Sequence, residues 1–330
     1  MKRAIITGPT GAVGTALTKE LVSKGIEVLL ITNPGSKRNA NIIDDPLVST
    51  LPCSIEDYEK IENATGKEYD IFYHLAWTGA MGAKRNDIRL QEHNLRGALD
   101  AVELAKRFGC KKFVGAGSQA EYGRFEGRLT AQTPVHPENG YGYAKLCAGE
   151  MTRDLAHQLG MEHCWVRILS VYGPNDNPNS MVMSTIVKLQ KGEIPEFTLG
   201  EQKWDYLYSG DAARAFRIVG EQGKDGEIYV LGSGEAHPLK EYIEIIRDVV
   251  APHSELGIGK IPYGPKQVMY LVADTTALNQ LGWRKKVSYR DGIQKTAMNI
   301  KNQGGGINKY PSYYIILSFV IDNQEDYYAA

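Results

Sequence analysis

A chain of 330 residues has room for a large domain with an appended lobe, or for two domains. With 42% hydrophobic and 23% charged residues it has globular composition, which excludes disordered, collagen-like and coiled-coil chains. Its 38 basic and 39 acidic side chains leave a formal charge of −1, so no global field draws in nucleic acid or an acidic membrane, and neither partner is expected. In chain order, residues 4–6, 27–31, 71–76 and 112–116 are short apolar runs that predict strands, and residues 12–24 and 89–108 between them read as helices. Strands alternating with helices predict a doubly wound α/β fold with a parallel sheet.

From Asn94 onward, Leu95, Leu99, Val102 and Phe108 fall near one stripe, and Gly109 stands at the expected stop. A second long helix is predicted from about Tyr141 to Leu159, ended by Gly160 before a strand over 163–169. Beyond Gly173-Pro174 the turn-rich run Asn175-Asp176-Asn177-Pro178-Asn179 leads to a helix over 181–191 and shorter strands, the pattern of a smaller mixed α/β lobe. The tail from Gln303 carries a Tyr-rich apolar run over 313–321, too short to span a bilayer and read as a strand docked on the lobe or on a partner subunit. Cys53, Cys110, Cys147 and Cys164 lie far apart with no C-x-x-C pair, so neither a zinc site nor a disulfide framework is expected. The N-terminal Ala4-Ile5-Ile6 is too brief for a signal peptide, and a cytoplasmic location is expected.

Thr7-Gly8-Pro9-Thr10-Gly11-Ala12-Val13-Gly14 follows the first strand and opens the first helix, with glycines spaced G-x-x-G-x-x-G. Such glycines serve a tight turn, close approach of backbone to a pyrophosphate and close helix–strand packing, with the phosphates at a helix N-terminus. A structural turn is the alternative, and the placement after a strand favours the dinucleotide loop. At the end of the second strand an Asp or Glu would hold both ribose hydroxyls and repel a 2′-phosphate. Thr32 stands there, followed by Asn33 and then Lys37 and Arg38, a combination that leans to NADP over NAD.

Tyr141 and Lys145 are spaced i and i+4, on one helix face, where an ammonium beside a phenol favours phenolate. Ser118 follows the strand over 112–116 and so lies at the carboxyl edge of the sheet, where ligands bind in such folds.

With these residues the sequence resembles the extended short-chain dehydrogenase/reductases, in their nucleotide-sugar epimerase/dehydratase/reductase branch. The matching segments are Thr7 to Gly14, His74-Leu75-Ala76-Trp77, Asn94, Gly117-Ser118-Gln119-Ala120-Glu121-Tyr122-Gly123, and Tyr141 with Lys145. Arg167 to Pro174, Trp204 to Asp211 and Leu281-Gly282-Trp283 continue the match in the family's order to about residue 300. The resemblance implies a Rossmann-type domain over residues 1–173 plus part of 205–235, and a substrate lobe over 174–204 and 236–302. It implies Tyr141 as general acid/base, Lys145 holding the nicotinamide ribose and lowering the Tyr141 pKa, and Ser118 bonding the reacting oxygen. Around the dinucleotide it implies Gly8, Thr10, Gly11, Ala12, Val13, Gly14, Asn33, Lys37, Arg38, Ser54, Ile55, Leu75, Ala76, Asn94, Ile168 and Val171. Trp77, Gln119, Ser170 and Trp204 are implied around the substrate, and the two long helices as a homodimer interface.

The departures from the family are informative. The 4,6-dehydratases carry an Asp-Glu pair after the Ser/Thr position, and this chain has Gln119-Ala120, neither of which is a carboxylic acid; Glu121 comes one position later. An Arg is usual at Trp204 and an Asn at Ser170, which leaves a substrate without diphosphate open. His74 reads equally as a core group or a cofactor contact, Trp77-Thr78-Gly79 as pocket lining or surface loop. No G-x-S-x-G elbow surrounds Ser118, so a hydrolase is discarded, and a non-catalytic NADP sensor is outweighed because Ser118, Tyr141 and Lys145 are all present. The expected function is an NAD(P)-dependent 4-ketoreductase of a nucleotide-linked 4-keto-6-deoxyhexose, with a nucleotide-sugar 4-epimerase as the alternative.

Overall fold

The computed structural model describes residues 1–302 apart from position 65; the tail 303–330 and its expected strand lie outside the described residues. The elements run β1 (Arg3–Thr7), α1 (Ala12–Val22), β2 (Glu27–Thr32), β3 (Val48–Pro52), β4 (Ile71–His74), α2 (Ile88–Arg107), β5 (Lys112–Ser118), β6 (Arg128–Leu129), α3 (Gly140–Gln158) and β7 (Glu162–Ile168). They continue with β8 (Ser170–Tyr172), α4 (Met181–Gln190), β9 (Lys203–Trp204), β10 (Tyr206–Tyr208), α5 (Ser209–Gln222), β11 (Ile228–Leu231), β12 (His237–Pro238), α6 (Leu239–Val250), β13 (Val272–Ala273), α7 (Thr276–Gln280) and α8 (Tyr289–Asn302).

A seven-stranded parallel sheet in the order β11-β7-β5-β4-β1-β2-β3 forms the centre. Side chains alternate across it: Ala4 and Ile6 join Leu17, Leu21, Phe216 and Val219 from α1 and α5 on one face. Ile5, Phe72 and Phe113 join Ala101, Leu104 and Phe108 from α2 on the other. Burial on both faces explains why these strands read as unbroken apolar runs. The strand order reverses between β1 and β4, so the carboxyl ends of β1, β4 and β5 border one crevice, the ligand position of doubly wound sheets.

Three strands differ from expectation, and one of them, β5, runs on to include Ser118, two residues past its expected end. β3 is an edge strand whose side chains are half-buried or exposed, and the sequence Val-Ser-Thr-Leu-Pro has no apolar run to announce it. β4 ends at His74, two residues before the expected end, because the chain turns there: Leu75 N donates to Thr7 O, and Ala76 N to the Thr7 hydroxyl at 3.3 Å. The long helices have the expected stops. Asp87 caps α2 by accepting from Leu90 N, Asn139 caps α3 by accepting from Gly142 N, and Gly109 and Gly160 take the left-handed conformation after them.

Candidate active site

Ser118, Tyr141 and Lys145 meet at the carboxyl edge of the sheet, 7%, 8% and 3% exposed. The end of β5 supplies Ser118, and the first turns of α3 supply the other two, one turn apart on the buried face. Ser118 hydrogen-bonds the Tyr141 phenol, which favours ionisation, yet burial outweighs it and the phenol titrates above its ordinary value. Lys145 Nζ donates to Ala116 O at 2.8 Å and lies 3.6 Å from the centre of the Trp77 ring. Burial pushes its pKa down to about 7, opposed by the charge of Glu121.

The expectation that Lys145 lowers the Tyr141 pKa is therefore corrected. The ammonium is spent on a backbone carbonyl and an indole face, the desolvated phenol keeps its proton, and the cation over the Tyr141 ring is Arg85, 5.0 Å from its centre. Trp77 stands edge-on to Tyr141 at 6.1 Å and is held by its indole N–H donating to Gln91 Oε1 at 2.8 Å. Gln91 in turn donates to Gly79 O and Lys84 O, so the loop after β4 is anchored to α2.

The glycine loop is packed as its spacing requires. Gly8, at φ +67°, lies against Leu75 and Ala76 so closely that a Cβ would meet their backbone at 2.7 Å. A Cβ on Gly14 would fall 2.3 Å from Gly8 O, so α1 starts hard against the loop. Gly11 caps α1, its Cβ direction open except for the Arg38 guanidinium at 3.9 Å. Arg38 also donates to Asn175 O, joining this loop to the first turn of the lobe.

Residues 4–232 match the model of the NAD dependent epimerase/dehydratase family. The chain belongs to that family. A CDP-abequose synthase of Salmonella muenchen is 26% identical over 306 residues, covering 89% of this chain and 96% of that one. A UDP-glucose 4-epimerase of Oryza sativa subsp. japonica is 25% identical over 325 residues, 86% of each chain. The solved UDP-glucose 4-epimerase of Thermus thermophilus, in complex with NAD, superposes with a TM-score of 0.80 at 22% identity over 91% of this chain and 99% of that one, a likeness of fold.

The residues present in this family member fit a nicotinamide dinucleotide. α1 opens without a side-chain cap and without an acid in its first turn, which leaves backbone N–H groups and the positive helix end to phosphate oxygens. Ala12 and Val13 form that first turn, and Thr10 is fixed through its carbonyl, which accepts from Asn41 Nδ2 at 3.1 Å. Ile168 is the register partner of Ser118, and Val171 pairs with Leu207 beyond it.

The other residues expected at the site lie as follows. Asn94 is buried and spends its amide on Thr78, accepting from the N at 2.9 Å and donating to the O at 2.8 Å, so it positions the segment after Trp77. The Asn33 side chain accepts from Gly35 N, Lys37 is exposed, and Ser54 and Ile55 follow β3, with Ile55 packed on Gly97 of α2. His74 is a core group: Nδ1 lies 2.9 Å from the Thr7 hydroxyl, the ring stacks on Phe113, and burial followed by the Lys145 charge pushes its pKa down to about 3. Gln119, itself half-buried, begins the turn after Ser118. Trp204 donates to the Ser170 hydroxyl and packs beside Tyr122, Leu129 and Leu169.

Sequence reasoning left Arg85, Gln91, Asp205 and Glu121 without a role. Asp205 is buried and accepts from Ser233 N, Gly234 N and Ala273 N, which ties the residue before β10 to the loop after β11 and to β13 itself. Glu121 carried a legible signal, because Ser118-x-x-Glu121 is the spacing of a capping box, and the structure forms it. Among the described residues, no cluster of His, Cys, Asp or Glu could hold a metal ion and no helix is long and apolar enough to cross a membrane.

Proposed function

We propose that the protein reduces the 4-keto group of a nucleotide-linked 4-keto-6-deoxyhexose, and the observation that carries this reading is the burial of the Tyr141 phenol beside Ser118, an environment that favours the protonated form. Reduction of a carbonyl starts from a proton donor, whereas oxidation of a sugar hydroxyl, the first half of a 4-epimerisation, starts from a base. The relatives named for CDP-abequose and UDP-glucose support a nucleotide-sugar substrate. The dehydratase reading has no support from the side chains, since Gln119 and Ala120 carry no acid and Glu121 is turned away into a buried pair with Arg167.

A bound nicotinamide supplies the hydride for the carbonyl carbon. Ser118 donates a hydrogen bond to the carbonyl oxygen and fixes its direction, and Tyr141 transfers its proton to that same oxygen as the C=O becomes CH–OH. Lys145, one turn further along α3, gives one of its three donors to Ala116 O and holds the ribose with another. Trp77 forms the wall beside the phenol, and the Trp204–Ser170 pair borders the substrate. The gain over solution comes from holding donor and carbonyl in register.

For the dinucleotide, the family description and the NAD-bound relative support NAD, while the missing carboxylate at Thr32 and the position of Arg38 support a 2′-phosphate. We also infer a cytoplasmic homodimer through α2 and α3, supported by their exposed Ile88, Tyr143 and Met151 and tested by light scattering. The deciding experiment follows reduced-nicotinamide absorbance with NADPH or NADH and a panel of nucleotide 4-keto sugars. Substrate-dependent loss of the band establishes the reductase. Interconversion of nucleotide-sugar isomers with no net oxidation establishes the 4-epimerase instead.

A further inference from the structure

We infer that Glu121 is a positioning residue for Ser118: its buried carboxylate, clamped by Arg167, fixes the serine backbone and thereby the direction in which the Ser118 hydroxyl meets the reacting oxygen. The inference rests on the Ser118, Tyr141 and Lys145 chemistry proposed above.

Glu121 is 0% exposed and Arg167 3%. Glu121 Oε1 accepts from Ser118 N at 2.7 Å, Oε2 accepts from Arg167 Nε at 2.6 Å, and the Trp165 indole N–H lies 3.1 and 3.3 Å from the two oxygens. In return Ser118 Oγ accepts from Ala120 N at 3.1 Å, so serine and glutamate close on each other across one short turn. That contact uses an oxygen lone pair of the hydroxyl and leaves its hydrogen to donate, to the Tyr141 phenol here and to the reacting oxygen once a substrate is seated.

Two elements are shaped around this carboxylate and the indole that bonds it. A Cβ on Gly117 would fall 2.3 Å from the Trp165 indole nitrogen and 2.6 Å from Glu121 Oε1; one on Gly115 would fall 2.2 Å from the Trp165 ring, and one on Gly149 of α3 2.9 Å from it. β5 and α3 therefore omit side chains where the indole and carboxylate sit. A buried ion pair is a poor device for stability alone, because apolar residues of similar volume often serve as well or better once desolvation is counted. Its retention three residues from Ser118, with a direct bond to the Ser118 backbone, points to geometry and charge at the reacting group.

The charge has a readable consequence. Arg167 and His163 of β7 and Tyr141, Lys145, Glu150 and Arg153 of α3 surround Glu121 or line the small space beside it, and Tyr122 lies under the Arg167 guanidinium. The Glu121 carboxylate disfavours the Tyr141 phenolate and favours the Lys145 ammonium.

The test uses the full-length protein. Glu121→Leu with Arg167→Met replaces the ion pair by apolar side chains and removes the acceptor for Ser118 N–H, and Glu121→Gln keeps an acceptor oxygen without the charge. The apolar pair is expected to fold with a modestly lower Tm, because the Ser118 and Trp165 N–H groups lose their acceptor, to lose about 100-fold in kcat with unchanged dinucleotide affinity, and to lose hydrogen-exchange protection at the Ser118 amide. Glu121→Gln is expected to restore most of kcat and to move the alkaline limb of the kcat–pH profile downward. The inference is overturned if the folded apolar pair turns over like wild type, or if Glu121→Gln loses activity only in proportion to folded protein with an unmoved pH profile. Tyr141→Phe runs in parallel. If it stays active, the reading of the site fails and this inference with it; if it is dead while the apolar pair is fully active, this inference alone fails.

Discussion

The indole N–H of Trp204 donates to the hydroxyl of Ser170 at 2.8 Å. These are the two positions at which the sequence parts from the family pattern of Arg and Asn, and the structure makes them partners. The pair presents an aromatic ring backed by Tyr122, Leu129 and Leu169 where the usual pair would present charge. Trp204→Phe keeps the apolar contact and deletes the bond, worth about 1 kcal/mol net to stability. The nucleotide-sugar KM is expected to rise, at unchanged kcat, as the two side chains lose their mutual orientation. A fall in kcat at constant KM would instead place Trp204 beside the reacting carbon.

Tyr141→Phe removes the proton donor while keeping a ring of the same shape against Trp77 and Arg85. Positioned general acids contribute about 10²–10⁴ in rate, and a loss of kcat in that range is expected. Dinucleotide affinity, measured by fluorescence titration, is expected to stay at the wild-type value. Retained turnover would assign the proton to another group.

Much of this was legible because the information is local. The apolar runs at 4–6, 27–31 and 112–116 are strands buried on both faces, and such strands announce themselves by composition alone. The glycine spacing and the i, i+4 step from Tyr141 to Lys145 are likewise short-range. β3 was not legible, since an edge strand with half-solvated side chains needs no apolar run. Nor was the direction of the Lys145 ammonium: the helix sets which face it is on, but the carbonyl of Ala116 and the ring of Trp77 come from other parts of the chain and decide what it touches. The buried partnerships of Glu121 and Asp205 span |i−j| of 46 and 68, beyond any pattern read along the chain.

Two buried histidines give the fold an acid limit. His74 and His163 are each pushed down to about 3, burial being the largest cause, while in the unfolded chain they titrate near 6.5. Between those values the unfolded state binds the extra protons, so stability falls as pH drops from about 6.5 toward 3, by up to about 1.4 kcal/mol per pH unit for each histidine. His163→Gln, which can still bond the Thr152 hydroxyl now 3.0 Å from His163 Nε2, is expected to flatten that slope by one such increment in urea unfolding from pH 4 to 6. An unchanged slope would show that His163 is protonated in the folded state.

Lys145 acts in a higher window. Its folded pKa of about 7 lies below the ordinary 10.5, so the unfolded chain binds the extra proton between those values and stability rises with pH across them. Below pH 7 both states are charged and the burial penalty is constant. Lys145→Met is expected to remove up to about 1.4 kcal/mol per pH unit of that slope and to stabilise the protein at pH 7, while abolishing turnover. Urea titrations at pH 7 and 9 measure it. Equal slopes in variant and wild type would mean that the ammonium is solvated in the folded protein.

The proposed contact of Arg38 with a 2′-phosphate is open to a direct test. Its guanidinium stands beside Gly11 at the open side of the glycine loop and bonds Asn175 O, and Thr32 places no carboxylate nearby to repel a 2′-phosphate. A charge-assisted contact to phosphate is worth about 1.5–3 kcal/mol, or roughly 10- to 150-fold. Arg38→Ala is therefore expected to weaken NADPH by a factor in that range and to leave NADH nearly unchanged, because only NADPH carries the extra phosphate. Equilibrium titration of both dinucleotides against wild type and variant reads the ratio. If the variant weakens the two equally, Arg38 serves the loop and its link to Asn175 rather than the ribose, and NAD is the physiological choice.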